Sequence, residues 1–155
     1  MLVDLTQGVG LRRATEADLP AVLALLAADQ LGARRESIDD LAPYRAAFAA
    51  IDADPAQLLL VAEAGGRVIG TFQLTFIPGL ARRGALRAQI EAVRVADEFR
   101  SRGLGAAMMR WAVDESRRRG CALVQLTSDK SRPDAHRFYE RLGFVRSHDG
   151  FKLAL

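Results

Sequence analysis

Between Ile90 and Gly105 the chain reads Ile-Glu-Ala-Val-Arg-Val, then Ala-Asp-Glu-Phe-Arg-Ser-Arg-Gly-Leu-Gly, and this stretch holds the densest chemistry in the sequence. A β-like run delivers the chain into a short loop, and the loop opens directly into a helix. Unpaired N–H groups and the helix dipole favour an anion at such a place. Glycine at 103 and 105 removes side chains where a pyrophosphate would approach the backbone. Arg100 and Arg102 add positive charge beside it. A dinucleotide fingerprint would need a third glycine where Met108 stands, and no Gly-Lys-Ser/Thr of a P-loop is present. By its residues alone the Gly-x-Gly reads equally as a strand-to-helix connection with two packing glycines.

Other reactive side chains are few. Cys121 is the single cysteine and starts a strand-like run without a paired histidine, so an acyl-cysteine intermediate is disfavoured. No spacing of His136, His148 and carboxylates suggests a metal site. Tyr139 shares a helical face with Phe138 and Leu142; a buried hydroxyl there requires a partner, and a plain core aromatic is the other reading.

The elements that must position these residues follow from periodicity and turn chemistry. Val9 to Arg13 reads as a first strand. Thr15-Glu16-Ala17-Asp18 resembles a capping box ahead of a helix whose face is Leu19, Val22, Leu23 and Leu26, with Pro20 in its first turn and Asp18 as an alternative cap. A weakly amphipathic helix is expected from about Ile38 to Ile51, ending before Pro55. Gln57 to Ala64, the Gly65-Gly66 turn and Arg67 to Ile77 form a hairpin, and Phe72, Leu74 and Phe76 alternate with Thr71, Gln73 and Thr75. A basic loop with Arg82, Arg83 and Arg87 leads to a strand from about Leu86 to Val95.

Gly103 to Arg119 is a long helix stopped by Gly120, followed by a strand over Cys121 to Thr127. Ser131-Arg132-Pro133-Asp134 opens a helix that Gly143 closes. Short strands are expected at Phe144 to Arg146 and Phe151 to Leu155. The order β-α-α-β-β-β-α-β-α-β-β implies an α/β layered domain with a mixed sheet.

Size and composition fit one domain spanning residues 1–155, with half of the residues apolar and thus enough material for a core. A lone cysteine excludes an internal disulfide and a cysteine-based zinc cluster, and fits a reducing compartment. No signal-peptide pattern and no apolar run near ~18 residues is seen, so a cytoplasmic location is expected and no membrane role. The pI of about 9.6 suits a nucleic acid or a phosphate-rich cofactor, and charge alone does not decide.

Arg100-x-x-Gly103-x-Gly105, five residues after Val95, resembles the coenzyme A signature of the GCN5-related N-acetyltransferase (GNAT) superfamily. Ala135-x-x-Phe138-Tyr139-Glu140-Arg141-Leu142-Gly143-Phe144 resembles its second motif, and the resemblance is weakest between Gln30 and Pro55. It implies a mixed, mostly antiparallel sheet with a splayed central parallel pair, helices on both faces, and acetyl-coenzyme A as cosubstrate. It also implies that Val93, Arg94 and Val95 lie along pantetheine. The N–H groups of Arg100, Ser101, Arg102, Gly103, Leu104, Gly105 and Ala106 would then cradle the pyrophosphate, and Ala135, Phe138 and Tyr139 would lie against the cofactor. Many relatives have asparagine where Arg132 stands; the arginine would reach a phosphate or be solvated.

By the same resemblance Glu91 is the candidate base for the attacking amine, whose free pKa is ~10.4, and Tyr139 the proton donor to the thiolate. Glu91 lies two residues before Val93, so strand alternation predicts that both face the same side. A surface glutamate is the competing reading, and Gln89 as an amide cannot take a proton. The acceptor is expected against the early helices and the loop after Pro78, with Asp39, Asp40, Phe72, Phe76, Arg82, Arg83 and Arg87 as lining candidates. Its identity stays open among polyamines, aminoglycosides, amino acids and protein amines. Family members often form homodimers. A non-catalytic acyl-coenzyme A sensor is the rival reading; it would tolerate loss of Glu91 and Tyr139, and both are present. A nucleic-acid partner ranks below it, because no helix-turn-helix or aromatic RNA-binding motif is recognisable.

Overall fold

The computed structural model describes residues 3–6 and 8–155. Its contacts divide the chain into two compact units, residues 1–125 and 126–155.

The first unit opens with β1 (Val3–Thr6) and β2 (Val9–Arg13), an antiparallel pair turned at Gly8, whose φ of 73° suits glycine. Then come α1 (Leu19–Ala27), α2 (Gln30–Arg35) and α3 (Ala42–Ala53). The hairpin β3 (Gln57–Ala64) and β4 (Arg67–Ile77) turns at Gly65-Gly66. After α4, a single turn over Ala81–Gly84 with Arg82 and Arg83 left-handed, follow β5 (Arg87–Val95), α5 (Leu104–Arg118) and β6 (Leu123–Leu126). The strands form one mixed sheet in the order β1-β2-β3-β4-β5-β6, antiparallel up to β5, with β5 and β6 as its parallel pair.

Alternation in β3, β4 and β5 sorts the sheet into two faces. Leu58, Leu60, Phe72, Leu74, Phe76 and Ile90 are buried on the face that carries α5, where Phe72 meets the edge of Trp111 at 6.3 Å. Met108, Met109 and Ala112 of α5 are buried there too. The other face takes α1: Ala14, Val22 and Val61 form a cluster with Leu26, Phe48, Leu59 and Val68 packed against it. Each fully buried aliphatic or aromatic side chain contributes roughly 1.5–3 kcal/mol, so the layers on both faces hold the sheet in place.

A buried ion pair closes the start of α1. Asp18 is 8% exposed and accepts from both terminal nitrogens of Arg12, at 2.7 and 2.9 Å, and from the Thr15 N–H at 2.7 Å. Arg12 also donates from Nε to Glu63 at 2.9 Å, tying β2, β3 and the capping turn together. The Arg12 hydrogen bonds hold the Asp18 carboxyl down to about 2, against an ordinary value of 3.8. With the folded value below the unfolded one, this stabilisation is complete above about pH 4 and vanishes as pH falls through about 2. Asp18→Asn is therefore expected to lower stability by about 2 kcal/mol at neutral pH and far less near pH 2. Urea unfolding at the two pH values measures this; equal losses at both would assign the effect to shape rather than charge.

Two elements were not anticipated by periodicity. β1 is short and lies beside β2 only through the Gly8 turn. α2 starts at Asp29, whose carboxylate caps the Gly32 N–H, and the helix lies close against the end of α1. A Cβ on Gly32 would stand 1.7 Å from the Leu26 carbonyl oxygen, so only glycine permits this approach. α3 begins at Ala42 rather than Ile38, because Pro43 is tolerated in the first turn and not further in. Arg87 belongs to β5 and not to the basic loop.

The second unit contains α6 (Pro133–Arg141), closed by Gly143 at φ 93°. β6 is shorter than the predicted run from Cys121 to Thr127. Phe144 to Arg146 and Phe151 to Leu155 are irregular rather than strands. Apolar alternation describes a side-chain pattern; a strand also needs a backbone ladder to a neighbour, and these segments form none.

Candidate active site

The site is organised by an irregularity in β5. Gln73 of β4 pairs with Glu91 and Thr71 pairs with Arg94, so two residues of β5, Ala92 and Val93, oppose Phe72 alone. Ala92 takes a left-handed φ of 54° to make this bulge. Alternation slips by one there. Glu91 shares its face with Gln73 and Arg94 with Thr71, which places Val93 on the opposite face. The expectation that Glu91 and Val93 point to the same side is corrected by this register.

Around Glu91 the α1 face of the sheet turns polar. Gln89 donates to a Glu91 carboxylate oxygen at 2.9 Å and accepts from the Gln125 amide at 2.9 Å. Gln125 thus orients the Gln89 amide so that its donor end serves the carboxylate. On the neighbouring strands Gln73 and Thr75 both donate to Gln57, at 2.9 and 2.8 Å. Arg87 lies on the same face at the far end of the row, its Nε enclosed and without a hydrogen-bond partner among the described residues. Glu91 is exposed and Gln89 half-buried, so the row is open to solvent at the carboxylate end.

Phe72 and Phe76 do not line this surface. They lie on the α5 side, buried, with the Arg119 guanidinium 4.1 Å above the Phe76 ring. Asp39 and Asp40 are exposed ahead of α3, and Arg82 and Arg83 are exposed on the single turn α4.

Beyond the bulge the chain leaves β5 through a short 3-10 turn, Asp97–Phe99, and reaches α5. Ser101 and Gly103 are left-handed, at φ 60° and 79°. Gly103 caps α5, and the first turn of the helix closes with the Ala107 N–H donating to the Gly103 carbonyl at 3.0 Å. The N–H groups of Gly103, Leu104, Gly105 and Ala106 therefore have no intrahelical acceptor. The Leu104 side chain is buried in the core, leaving its N–H alone to serve the loop. Arg100 pairs with Asp97 at 3.2 Å, and Arg102 stacks 5.6 Å above the Phe99 ring.

Guanidinium groups reach the two valine carbonyls of the strand: Arg94 donates to Val93 at 2.8 Å and Arg100 to Val95 at 3.3 Å. Arg94 also pairs with Asp29 at 3.3 Å, tying the cap of α2 to the bulge. Sequence reasoning placed Arg94 along the cofactor and missed this partner, since Asp29 is distant in the chain and carries no motif. Between α1 and the loop lies a cavity of about 630 Å³. Ala21, Ala24 and Ala28 line it from α1, where small side chains at helical spacing leave the room.

In the second unit Tyr139 is half-buried, edge-on to Phe138 at 5.1 Å and to Phe144 at 5.9 Å. Ala135 is half-buried on the same helix, and Arg132 stands at its N-cap position. The His136 ring contacts the Asp129 carbonyl at 2.8 Å, a local tie that accounts for it. Ser147 contacts His148. No group of three potential metal ligands occurs among the described residues. Back in the first unit, burial pushes the Cys121 thiol up, against a smaller opposing effect of Arg119, which leaves it a poor nucleophile at neutral pH.

Comparisons with known proteins agree with this arrangement. The sequence profile of the acetyltransferase (GNAT) family matches residues 20–144. The chain is 32% identical over 145 residues to an aminoalkylphosphonate N-acetyltransferase of Salmonella typhimurium, covering 94% of this chain and 90% of that one. It is 40% identical over 85 residues to a glucosamine 6-phosphate N-acetyltransferase of Trypanosoma brucei brucei, covering 54% of each. A crystal structure of a transcriptional regulator from Bacillus halodurans C-125 superposes with a TM-score of 0.92 at 44% identity, over 95% of this chain and 99% of that one.

Proposed function

The chain belongs to the acetyltransferase (GNAT) family, and from that premise we propose that it moves the acetyl group of acetyl-coenzyme A to a primary amine by direct attack within a ternary complex. The enzyme is an N-acetyltransferase. The observation that carries the mechanism is the bulge at Ala92, which leaves the Glu91 carboxylate exposed on one face while the strand runs on into the open N-terminus of α5.

The residues present fit acetyl-coenzyme A. Gly103 has no heavy atom within 4 Å of the place a Cβ would take, and the first-turn N–H groups of α5 are open beside the exposed Arg100 and Arg102. When bound, acetyl-coenzyme A supplies an acetyl group activated as a thioester. Gly103, Leu104, Gly105 and Ala106 would hold its pyrophosphate through their N–H groups, and the backbone of Val93 and Val95 would lie along pantetheine. Arg132, Ala135 and Phe138 complete the cofactor contacts, and Ser101 contributes its N–H.

An alkylammonium holds its proton at neutral pH, so the amine must lose it before attack. Glu91 takes that proton, directly or through water, on the oxygen that Gln89 leaves free. The Tyr139 hydroxyl returns a proton to the departing thiolate. The reaction runs in the cytoplasm, where acetyl-coenzyme A is supplied. One domain covering residues 1–155 performs it.

Release of free coenzyme A thiol across a panel of amines tests this reading, with aminoalkylphosphonates and amino-sugar phosphates included because the curated relatives are named for them. Turnover with one amine class is expected, and Tyr139→Phe is expected to lower kcat about tenfold with little change in the KM for acetyl-coenzyme A. Tight binding of acetyl-coenzyme A without turnover on any amine would favour a non-catalytic acyl-coenzyme A sensor instead. Absence of binding would sink both.

A further inference from the structure

The polar row on the α1 face of the sheet has a charge at each end and only uncharged groups between. Glu91 and Arg87 lie four residues apart on one strand face, roughly 13 Å between Cα atoms, with Gln89 between them and Gln73, Thr75 and Ile77 beside them on β4. The two charges do not pair. Glu91 is held by Gln89, and Arg87 has neither a carboxylate nor a hydrogen-bond partner among the described residues, though its Nε is closed off from solvent. The terminal nitrogens of that guanidinium are open to make charge-assisted hydrogen bonds with an incoming anion. The amides between are already satisfied by one another, through Gln57 for Gln73 and Thr75 and through Gln125 for Gln89, so they offer a fixed polar floor rather than competing partners.

We propose that Arg87 anchors an oxyanion carried by the acceptor, so that the enzyme acts on a primary amine joined by a short linker to a phosphate, phosphonate or carboxylate. This rests on the acetyltransferase reading of the same site. The anion seats on the terminal nitrogens of Arg87, and both flexible side chains lean along the row until the amine meets Glu91. The step is acetyl transfer as above: the amine nitrogen gains the acetyl group, the carbon–sulfur bond breaks, and the amine proton leaves on Glu91. Arg87 touches no reacting atom and sets specificity only.

Ethanolamine, β-alanine and O-phosphoethanolamine differ only in the group opposite the amine, and steady-state kinetics on the three is the test. Wild-type KM is expected at least tenfold lower for an anionic member than for ethanolamine. The ranking of phosphate against carboxylate identifies the anion. Arg87→Ala is expected to raise that KM about a hundredfold while leaving the KM for ethanolamine and for acetyl-coenzyme A unchanged, and Arg87→Lys to restore part of it. Inorganic phosphate gives a reading independent of turnover: it is expected to raise the melting temperature of the wild type more than that of folded Arg87→Ala or Arg87→Gln. Equal KM values across the series, or a phosphate shift undiminished by both substitutions, would overturn the anchor while leaving acetyl transfer intact. If no amine is acetylated, the acetyltransferase reading fails by itself, and the phosphate shift still decides the anchor.

Discussion

Glu91→Gln is expected to lower kcat about a hundredfold at neutral pH, within the range of ~10²–10⁴ typical for loss of a general base. The substitution keeps the shape of the side chain, and Gln89 can still donate to the new amide oxygen as it does to the carboxylate at 2.9 Å. Fold and acetyl-coenzyme A binding should therefore persist, and the KM for acetyl-coenzyme A should stay within a factor of about two. Its pH dependence separates a base from a mere contact. As pH rises toward the amine's own pKa of ~10.4, free amine accumulates without help and the deficit should shrink. Activity measured from pH 6 to 10 gives the answer: a deficit constant across that range would mean that Glu91 positions the amine and takes no proton.

Gly105→Glu is expected to raise the KM for acetyl-coenzyme A by about a hundredfold or more, equivalent to ~2.7 kcal/mol of lost binding. Position 105 lies in the first turn of α5, two residues after the Gly103 cap and within the stretch proposed to hold the pyrophosphate. A glutamate there adds bulk and a like charge facing the phosphates. The same substitution should not harm the helix: an acid in the first turn favours the dipole, and replacing glycine in a helix recovers roughly 0.5–1 kcal/mol. Higher melting temperature with lost cofactor binding is the expected pair of results. Isothermal titration with acetyl-coenzyme A would refute the assignment if affinity were unchanged in a protein of equal or greater stability.

Several elements were legible in the sequence because local chemistry and packing demand the same outcome. β3 and β4 run Gln57–Ala64 and Arg67–Ile77, as the alternation and the Gly65-Gly66 turn predict. The capping box at Thr15 is present, with Asp18 accepting from the Thr15 N–H at 2.7 Å. α5 begins right after Gly103 and ends one residue short of the predicted Arg119. Each rests on interactions between near neighbours in the chain, which composition and spacing encode directly.

What depended on distant partners was not legible. Arg12 is a strand residue of no evident role until Asp18 and Glu63 close on it. The Asp29 partner of Arg94 carries no signal in the sequence, because the two residues lie far apart in the chain. Phe72 and Phe76 were assigned to the acceptor surface, yet parity in β4 puts them under α5. The strands expected after Gly143 lacked a ladder partner that alternation cannot supply.

The sequence by itself determined the family and the order of elements from β2 to α6 apart from α2 and the single turn α4, since these are written in short-range patterns. Tertiary structure alone decided which way Glu91 faces. One extra residue in β5 at Ala92, accommodated by a left-handed φ of 54°, reverses the alternation and places Glu91 with Gln89 and Arg87, away from Val93. A bulge arises from pairing with the neighbouring strand, and no residue in Ile90-Glu91-Ala92-Val93 announces it.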